Sequence, residues 1–213
     1  DRLSDLTEKA GIPLIVDNAY GLPFPGILFK KVSFVRKDHH IMVFSLSKLG
    51  LPGTRTAIVV ASPEIARAVS EFTAVSGLAN GNFGQAILRP LLENRRILSL
   101  VEQGIQPHYL KKRDFAKEII DNFFPKDGSY FLHETEGAMF FWLWLPNSKK
   151  SSMQLYADLK GEGVLVVPGE PFFFGLQEPD QNWPHQHQCL RISFAMTPEV
   201  VENGLKIISK KIS

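Results

Sequence analysis

Apolar positions in the first half of the chain form short runs separated by stretches with helical spacing. An amphipathic stretch at the start is ended by Gly11, and residues 13–16 then form a short apolar run. Similar runs follow at 41–44 and 57–61, and a helix start is predicted at Pro63. Short, uniformly apolar strands joined by helices indicate an open α/β sheet covered on both faces.

The pattern changes in the second half of the chain. Residues 83–124 are mostly helical, with breaks at Gly104 and Pro107, which makes this region a candidate bridge between domains. Beyond it, strands are predicted at 130–132, 139–145, 164–167 and 189–195, and helices at 152–159 and 198–212. This order predicts a separate small α+β domain.

Composition and charge limit the classes of protein to which the chain could belong. The 213 residues are 44% hydrophobic, and the net charge of +2 comes without a basic block, so neither nucleic acid nor a membrane surface is a predicted partner. The apolar runs are shorter than the ~20 residues that span a bilayer, and the charged start lacks a signal-peptide pattern. With Cys189 as the single cysteine, no internal disulfide can form, and a cytoplasmic location is expected.

Residues 44–55, FSLSKLGLPGTR, combine hydroxyls, a lysine, a Gly/Pro turn and an arginine after a strand. A phosphate dianion needs donors of these kinds, so Ser45, Ser47 and Arg55 are assigned to phosphate. A lysine beside bound cations is pushed towards the neutral amine, which adds to an aldehyde to form a Schiff base. Lys48 is therefore the candidate nucleophile, although an isolated lysine is more often a solvated surface residue.

A second candidate lies at the end of the first strand, in IVDNAYG. Asp17 follows a buried strand, at the end where open α/β sheets bind ligands, and it could pair with a pyridine nitrogen. Tyr20 could donate its phenol to the 3-oxygen of such a ring. The alternatives are an Asx turn or helix cap for Asp17 and simple packing for Tyr20.

The late strand CLRISFA contains a third candidate. Leu190, Ile192 and Phe194 alternate with polar or small residues, so Arg191 is predicted to face away from the apolar set. An arginine on a half-buried strand needs an anion, and an amino-acid α-carboxylate offers a matching two-pronged acceptor. The alternative is a structural salt bridge.

Through DNAY, SLSKLGLPGTR and CLRIS, in this order, the chain resembles the fold-type I pyridoxal-phosphate (PLP) aminotransferases of class I/II. The resemblance implies the remnant of a large-domain sheet in residues 1–105, followed by a small α+β C-terminal domain in 106–213. It implies that Lys48 is the Schiff-base lysine and the acid/base that moves the α-proton, and that Arg191 binds the substrate carboxylate. The cofactor-binding residues that it implies are Asp17, Tyr20, Ser45, Ser47, Lys48 and Arg55.

A closer resemblance is carried by DNAYGLPFPGI, SLSKLGLPG, EGAMFFWLWL, GVLVVPG and WPHQHQCLR. In these segments the chain resembles enzymes that convert L-valine and pyruvate to 2-oxoisovalerate and L-alanine by transfer of the amino group. Such enzymes act on amino-acid and 2-oxo-acid substrates as homodimers with active sites at the subunit interface. The chain departs from the family because it begins just before the DNAY strand, so we expect a truncated chain with uncovered apolar surface that is inactive alone and binds PLP poorly.

Three other interpretations stay open. The chain could belong to another class I/II aminotransferase with aromatic or 2-aminoadipate donors, or to the aminotransferase-like sensor domain of a transcription regulator. It could also be a small-domain scaffold without activity. His185, His187 and Cys189 alternate in WPHQHQC and would share one face of a strand, but we predict a contribution to the shape of the substrate pocket and no metal site.

Overall fold

The structure is a computed structural model that describes residues 2–77, 81–176 and 183–212. The chain divides into two compact units, Asp1–Pro107 and His108–Ser213. Each unit contains its own sheet and helices, and the two are described in turn.

The first unit is built on a three-stranded sheet. Its strands are β1 (Leu14–Asp17), β2 (His40–Ser45) and β3 (Ala57–Val60), and its helices are α1 (Arg2–Lys9), α2 (Pro63–Gly77), α3 (Phe83–Glu93) and α4 (Arg96–Leu100). A π-helical segment, Val101–Ile105, leads into α5 (Gln106–Phe123), which continues into the second unit. The sheet order is β1-β2-β3, with β1 parallel and β3 antiparallel to β2. The strands predicted near 13–16, 41–44 and 57–61 are therefore confirmed.

The core of this unit lies on one face of the sheet. Met42 and Phe44 of β2 are buried against Leu88 of α3 and Ile97 of α4. On the other face Ile15 of the edge strand β1 is 66% exposed, whereas Ile41, Val43 and Val59 are half-buried, so the expected covering of both faces is incomplete at β1. Exposed apolar side chains, as expected, are present here and also on α2, which buries no residue.

The second unit contains a four-stranded antiparallel sheet. Its strands are β4 (Phe131–Leu132), β5 (Phe140–Trp144), β6 (Val167–Pro168) and β7 (Cys189–Ser193), in the order β4-β5-β7-β6. Its further helices are α6 (Ser152–Gly161) and α7 (Pro198–Ile212). The strand predicted at 164–167 is wrong in extent, because Leu165 is exposed and only Val167 and Pro168 pair with β7.

The two faces of this sheet have different roles. The buried face presents Phe141, Leu143 and Leu145 from one strand segment and Leu190, Ile192 and Phe194 from the next. The opposite face, which we call the aromatic face, presents Phe131, Phe140, Trp142 and Trp144, and the rings of Phe172, Phe173, Trp183 and His185 lie against it. The period-two pattern of strands explains this separation, since successive side chains point to opposite faces.

Candidate active site

A short 3-10 turn directly after β2 presents Lys48. The turn, Leu46–Leu49, begins at Ser45, whose hydroxyl oxygen accepts a hydrogen bond from the backbone N–H of Ser47. It ends at Gly50, which has a φ of 87° and a backbone N–H that donates to the carbonyl of Leu46. A left-handed residue at this point is least costly as glycine, so the sequence SLSKLG sets both ends of the turn.

Arg55 follows a second 3-10 turn, Pro52–Thr54, and lies near the first. Arg55 itself adopts the left-handed conformation, with a φ of 48°, and its side chain is exposed. The N–H of Leu46 donates to the carbonyl of Thr56 at 3.1 Å, which ties the two turns together. The predicted phosphate residues Ser45, Ser47 and Arg55 are thus carried on two turns joined by a backbone hydrogen bond.

Asp17 and Tyr20 lie at the same edge of the sheet as the Lys48 turn. Strand β1 is parallel to β2, and the N–H of Asn18 donates to the carbonyl of Val43 at 2.9 Å, so both strands end at this edge. One Asp17 oxygen accepts from the N–H of Ala19 at 3.1 Å, so the Asx-turn alternative is realised. The Nζ atom of Lys48 lies 5.5 Å from the centroid of the Tyr20 ring.

The loop after Asp17 is held by its own side chains. The Asn18 amide donates to the carbonyl of Leu22 at 2.5 Å. A Cβ atom at Gly21 would lie 1.9 Å from the Asn18 side-chain oxygen, so a larger residue here would have to displace the Asn18 side chain. The sequence DNAYG therefore fixes the path of the chain around Tyr20.

The charged groups of this edge are not neutralised by one another. Within the described ranges, no ion pair involves Asp17, Lys48 or Arg55. One carboxylate, one amine, one guanidinium and two hydroxyls are therefore carried by the carboxyl end of two parallel strands and the turns that follow. This set can bind an anionic phosphate and hold an amine beside an aromatic ring.

Arg191 faces the aromatic side of the second unit, as the alternation predicted. Its neighbours Leu190 and Ile192 are buried on the opposite face. The guanidinium carbon lies 4.4 Å from the Phe140 ring centroid and 5.0 Å from that of Phe172. The Nε atom is buried without a hydrogen bond, and no carboxylate of the described segments pairs with Arg191. The alternative interpretation of Arg191, a structural salt bridge, therefore finds no carboxylate in the described segments.

Sequence reasoning missed the residues around Arg191. Phe141 and Leu143 are buried in the core, whereas Phe140 and the two tryptophans face the aromatic side of the sheet. The sequence did contain a signal for this: residues alternate in 140–144 as they do in CLRIS, so Trp142 can share a face with Arg191 when the two strands pair. The contact from Phe172 had no signal in the local sequence.

The WPHQHQC stretch does not form the strand on which a shared face of His185, His187 and Cys189 depends. Residues Pro184–His187 form a 3-10 turn, and β7 begins only at Cys189. His187 lies 3.4 Å from a Glu170 oxygen, whereas the Cys189 thiol donates to the carbonyl of His185 at 3.3 Å. Burial raises the pKa of the Cys189 thiol to about 11. The described residues contain no group of three side chains suited to a metal ion.

The chain belongs to the aminotransferase class I and II family, whose model matches residues 1–208. It is 39% identical to the valine–pyruvate aminotransferase of Escherichia coli (strain K12) over 211 residues, which is 99% of this chain and 50% of that protein. It is 27% identical to the 2-aminoadipate transaminase of Thermus thermophilus, over 81% of this chain and 43% of that protein. The chain thus spans about half the length of the curated relatives it matches.

A solved structure supports the same fold. The crystal structure of valine–pyruvate aminotransferase from Salmonella typhimurium LT2 has a TM-score of 0.92 and 37% identity, and the match covers 99% of this chain and 53% of that one. The mixed α/β architecture expected from the sequence is therefore that of the fold-type I aminotransferases. No helix in the described ranges has the length and apolar character that crossing a lipid bilayer requires.

Proposed function

We propose that the protein containing this chain is a PLP-dependent aminotransferase. The proposed reaction transfers the amino group of L-valine to pyruvate, which gives 2-oxoisovalerate and L-alanine. The observation that carries the proposal is the Lys48 amine, 5.5 Å from the Tyr20 ring, on the edge of a sheet that also presents Asp17. The 39% identity to the Escherichia coli enzyme supports the choice of substrates.

The donor set of the first unit fits PLP. The cofactor's phosphate needs hydroxyl and guanidinium donors, which Ser45, Ser47 and Arg55 supply from the two joined turns. Its pyridine nitrogen needs an acid, and Asp17 keeps one oxygen beyond the one engaged by Ala19. When bound, PLP supplies an aldehyde for covalent attachment of the lysine and a ring that takes up the electron pair left by α-proton loss.

Lys48 performs two tasks in this proposal. Its Nζ atom would hold the cofactor covalently and would give up that place to the substrate amine. The freed amine would then serve as the acid/base that moves the proton of the substrate's α carbon. The Tyr20 ring beside Nζ restricts where this flexible side chain can place its amine, and the Tyr20 phenol would donate to the 3-oxygen of the cofactor ring.

Arg191 binds the α-carboxylate that all the proposed amino-acid and 2-oxo-acid substrates share. Its five N–H donors can grip two carboxylate oxygens at once. A buried, unpaired Nε and the lack of a carboxylate partner in the described ranges are the features expected of an arginine reserved for a ligand. We assign the first unit to the C-terminal part of the large PLP-binding domain and the second to the small domain, in a cytoplasmic homodimer.

The first experiment is an absorbance spectrum with added PLP. It compares this chain, the longest natural protein that contains it, and their Lys48→Ala and Lys48→Arg variants, with Lys31→Ala as a control at an exposed lysine. We expect a band that borohydride fixes onto Lys48, absent from both Lys48 variants and kept in the control. A band in the longer protein alone would mean that residues outside this chain are required. No Lys48-dependent band in either protein would refute the proposal.

Substrate choice needs a second measurement. Conversion of pyruvate to alanine is compared with valine, phenylalanine and 2-aminoadipate as amino donors, in the longest natural protein. A higher kcat/KM with valine is expected. Preference for either of the others would keep the reaction class and replace the substrates.

A further inference from the structure

The guanidinium of Arg191 is restrained by two aromatic rings from different elements. Phe140 belongs to β5, where it pairs with Ser193, and its ring centroid lies 4.4 Å from the guanidinium carbon. Phe172 belongs to the 3-10 turn Glu170–Phe172, and its centroid lies at 5.0 Å. Both distances are within the ~6 Å over which a ring face attracts a cation.

Ring contacts differ from an ion pair because they leave the N–H donors of the guanidinium available for a ligand. A guanidinium has five N–H donors and no acceptor, and an ion pair would occupy some of those donors. A ring face attracts the charge and occupies none of them. In the described part of the chain no carboxylate pairs with Arg191, so the two rings supply the directional restraint while its donors stay uncommitted.

Phe172 is held over Arg191 although its side chain is 43% exposed. The N–H of Phe172 donates to the carbonyl of Gly169 at 2.9 Å, which closes the turn. The Glu170 carboxylate accepts from the Ser152 hydroxyl, which itself accepts from the N–H of Gly169 at 3.2 Å. The turn is thus fastened to the start of α6.

A third ring adds to this support. The Trp142 ring meets that of Phe172 edge-on, with centroids 5.3 Å apart, and Trp142 is the residue that pairs with Arg191 across the sheet. An exposed phenylalanine with no function would be free to turn into solvent. Here backbone, carboxylate and ring contacts keep Phe172 against the cation.

We propose that Phe172, together with Phe140, is a positioning residue that holds the Arg191 guanidinium ready for the substrate α-carboxylate. The inference rests on the proposed function, since it takes Arg191 as the carboxylate ligand. Because all substrates share this carboxylate, loss of the Phe172 ring weakens binding of each by the same factor. The chemical step at Lys48 does not use the ring, so kcat stays nearly constant.

The test uses a pair of unreactive ligands and the longest natural protein that contains this chain, with PLP bound. Isovalerate has a carboxylate but no amino or oxo group, and isovaleramide has the same shape without the charge. Dissociation constants are measured by calorimetry for the parent protein, Phe172→Leu, Phe172→Tyr and Arg191→Gln. Phe174→Leu is the matched control, because Phe174 belongs to the same loop and is 88% exposed.

Phe172→Leu is expected to weaken isovalerate binding by about 3- to 10-fold, the range of a partly exposed cation–π contact. Isovaleramide binding should not change, KM for valine and for alanine should rise by the same factor, and kcat should stay within about twofold. Phe172→Tyr keeps a ring face and should restore parental binding, and Phe174→Leu should equal the parent.

Several results would overturn the inference. Equal weakening of acid and amide, or a fall in kcat with unchanged KM, would give Phe172 a general structural role. If Arg191→Gln abolishes the preference for isovalerate and Phe172→Leu does not change it, the positioning role alone is wrong. If Arg191→Gln has no effect either, the assignment of Arg191 in the proposed function is wrong as well.

Discussion

Helix α3 approaches the segment Thr54–Thr56 closely, and the distances allow the effect of a substitution on the free energy of unfolding to be predicted. Gly84 lies buried in the first turn of α3. A Cβ atom at this position would lie 2.1 Å from the Thr56 hydroxyl oxygen, 2.7 Å from the Thr56 Cβ and 3.0 Å from the Thr54 Cβ. These two threonines flank Arg55, so Gly84→Ala pushes on the segment that holds the proposed phosphate ligand.

Two effects of opposite sign determine the magnitude. Alanine is favoured over glycine in a helix interior by about 1 kcal/mol. Overpacking a filled site costs about 1–3 kcal/mol, and here the Cβ of Thr56 can move only with its backbone. A contact of 2.1 Å places this cost in the upper part of the range, at about 2–3 kcal/mol, so it outweighs the helix preference, and we expect Gly84→Ala to lower the free energy of unfolding by about 1–2 kcal/mol.

Urea unfolding followed by far-ultraviolet circular dichroism measures this change. Gly104→Ala is the matched control, because its Cβ would meet its nearest neighbour, the Leu100 side chain, at an ordinary 3.9 Å. This control should be neutral or slightly stabilising. Adding Thr56→Ala to Gly84→Ala removes the nearest clashing atom, so the double variant should lose less stability than the sum of the single changes. A Gly84→Ala protein as stable as the parent would show that the overlap argument is wrong.

Two further predictions concern pH. Burial raises the pKa of the Cys189 thiol from 9.0 to about 11, so the fold favours the protonated thiol, and about 3 kcal/mol of stability should be lost as pH rises through this range. In urea titrations at a series of alkaline pH values, the free energy of unfolding of Cys189→Ala should fall less steeply with pH than that of the parent, and equal slopes would contradict the assignment. Burial, with the charges of His39 and Lys37, lowers the pKa of His40 below 6.5. The stability contributed by neutral His40 is therefore fully present above pH 6.5 and is lost as pH falls through the lower pKa of the folded state. The free energy of unfolding of His40→Gln should therefore fall less steeply with decreasing pH than that of the parent. The same slope in both proteins would refute the role of His40.

Local patterns predicted the elements that local physics determines. Period-two alternation placed Leu190 and Ile192 inside and Arg191 outside, and the structure confirms it because adjacent side chains of a strand must face opposite ways. The Gly/Pro turn expected after the lysine is present, because Gly50 ends one 3-10 turn and Pro52–Thr54 forms the next. These features depend on residues only a few positions apart.

The errors occur where distant residues decide. The strand predicted at 164–167 pairs with β7 only at Val167 and Pro168, a limit that is set by a partner strand distant in the sequence. The contact between Phe172 and Arg191 joins a turn to a strand whose pairing with β6 and β5 brings them together. Such a contact depends on the order of strands in the sheet, which the alternation within one strand does not contain.

The aromatic face has a spectroscopic consequence. The chain contains three tryptophans, and Trp142, Trp144 and Trp183 all contribute to this one face of the second unit. Tryptophan emission from this chain is therefore a local signal from the surroundings of Arg191, and the sheet edge that presents Lys48 is silent in it. Emission and circular dichroism, recorded on the same sample, would separate the melting of the two units without any label.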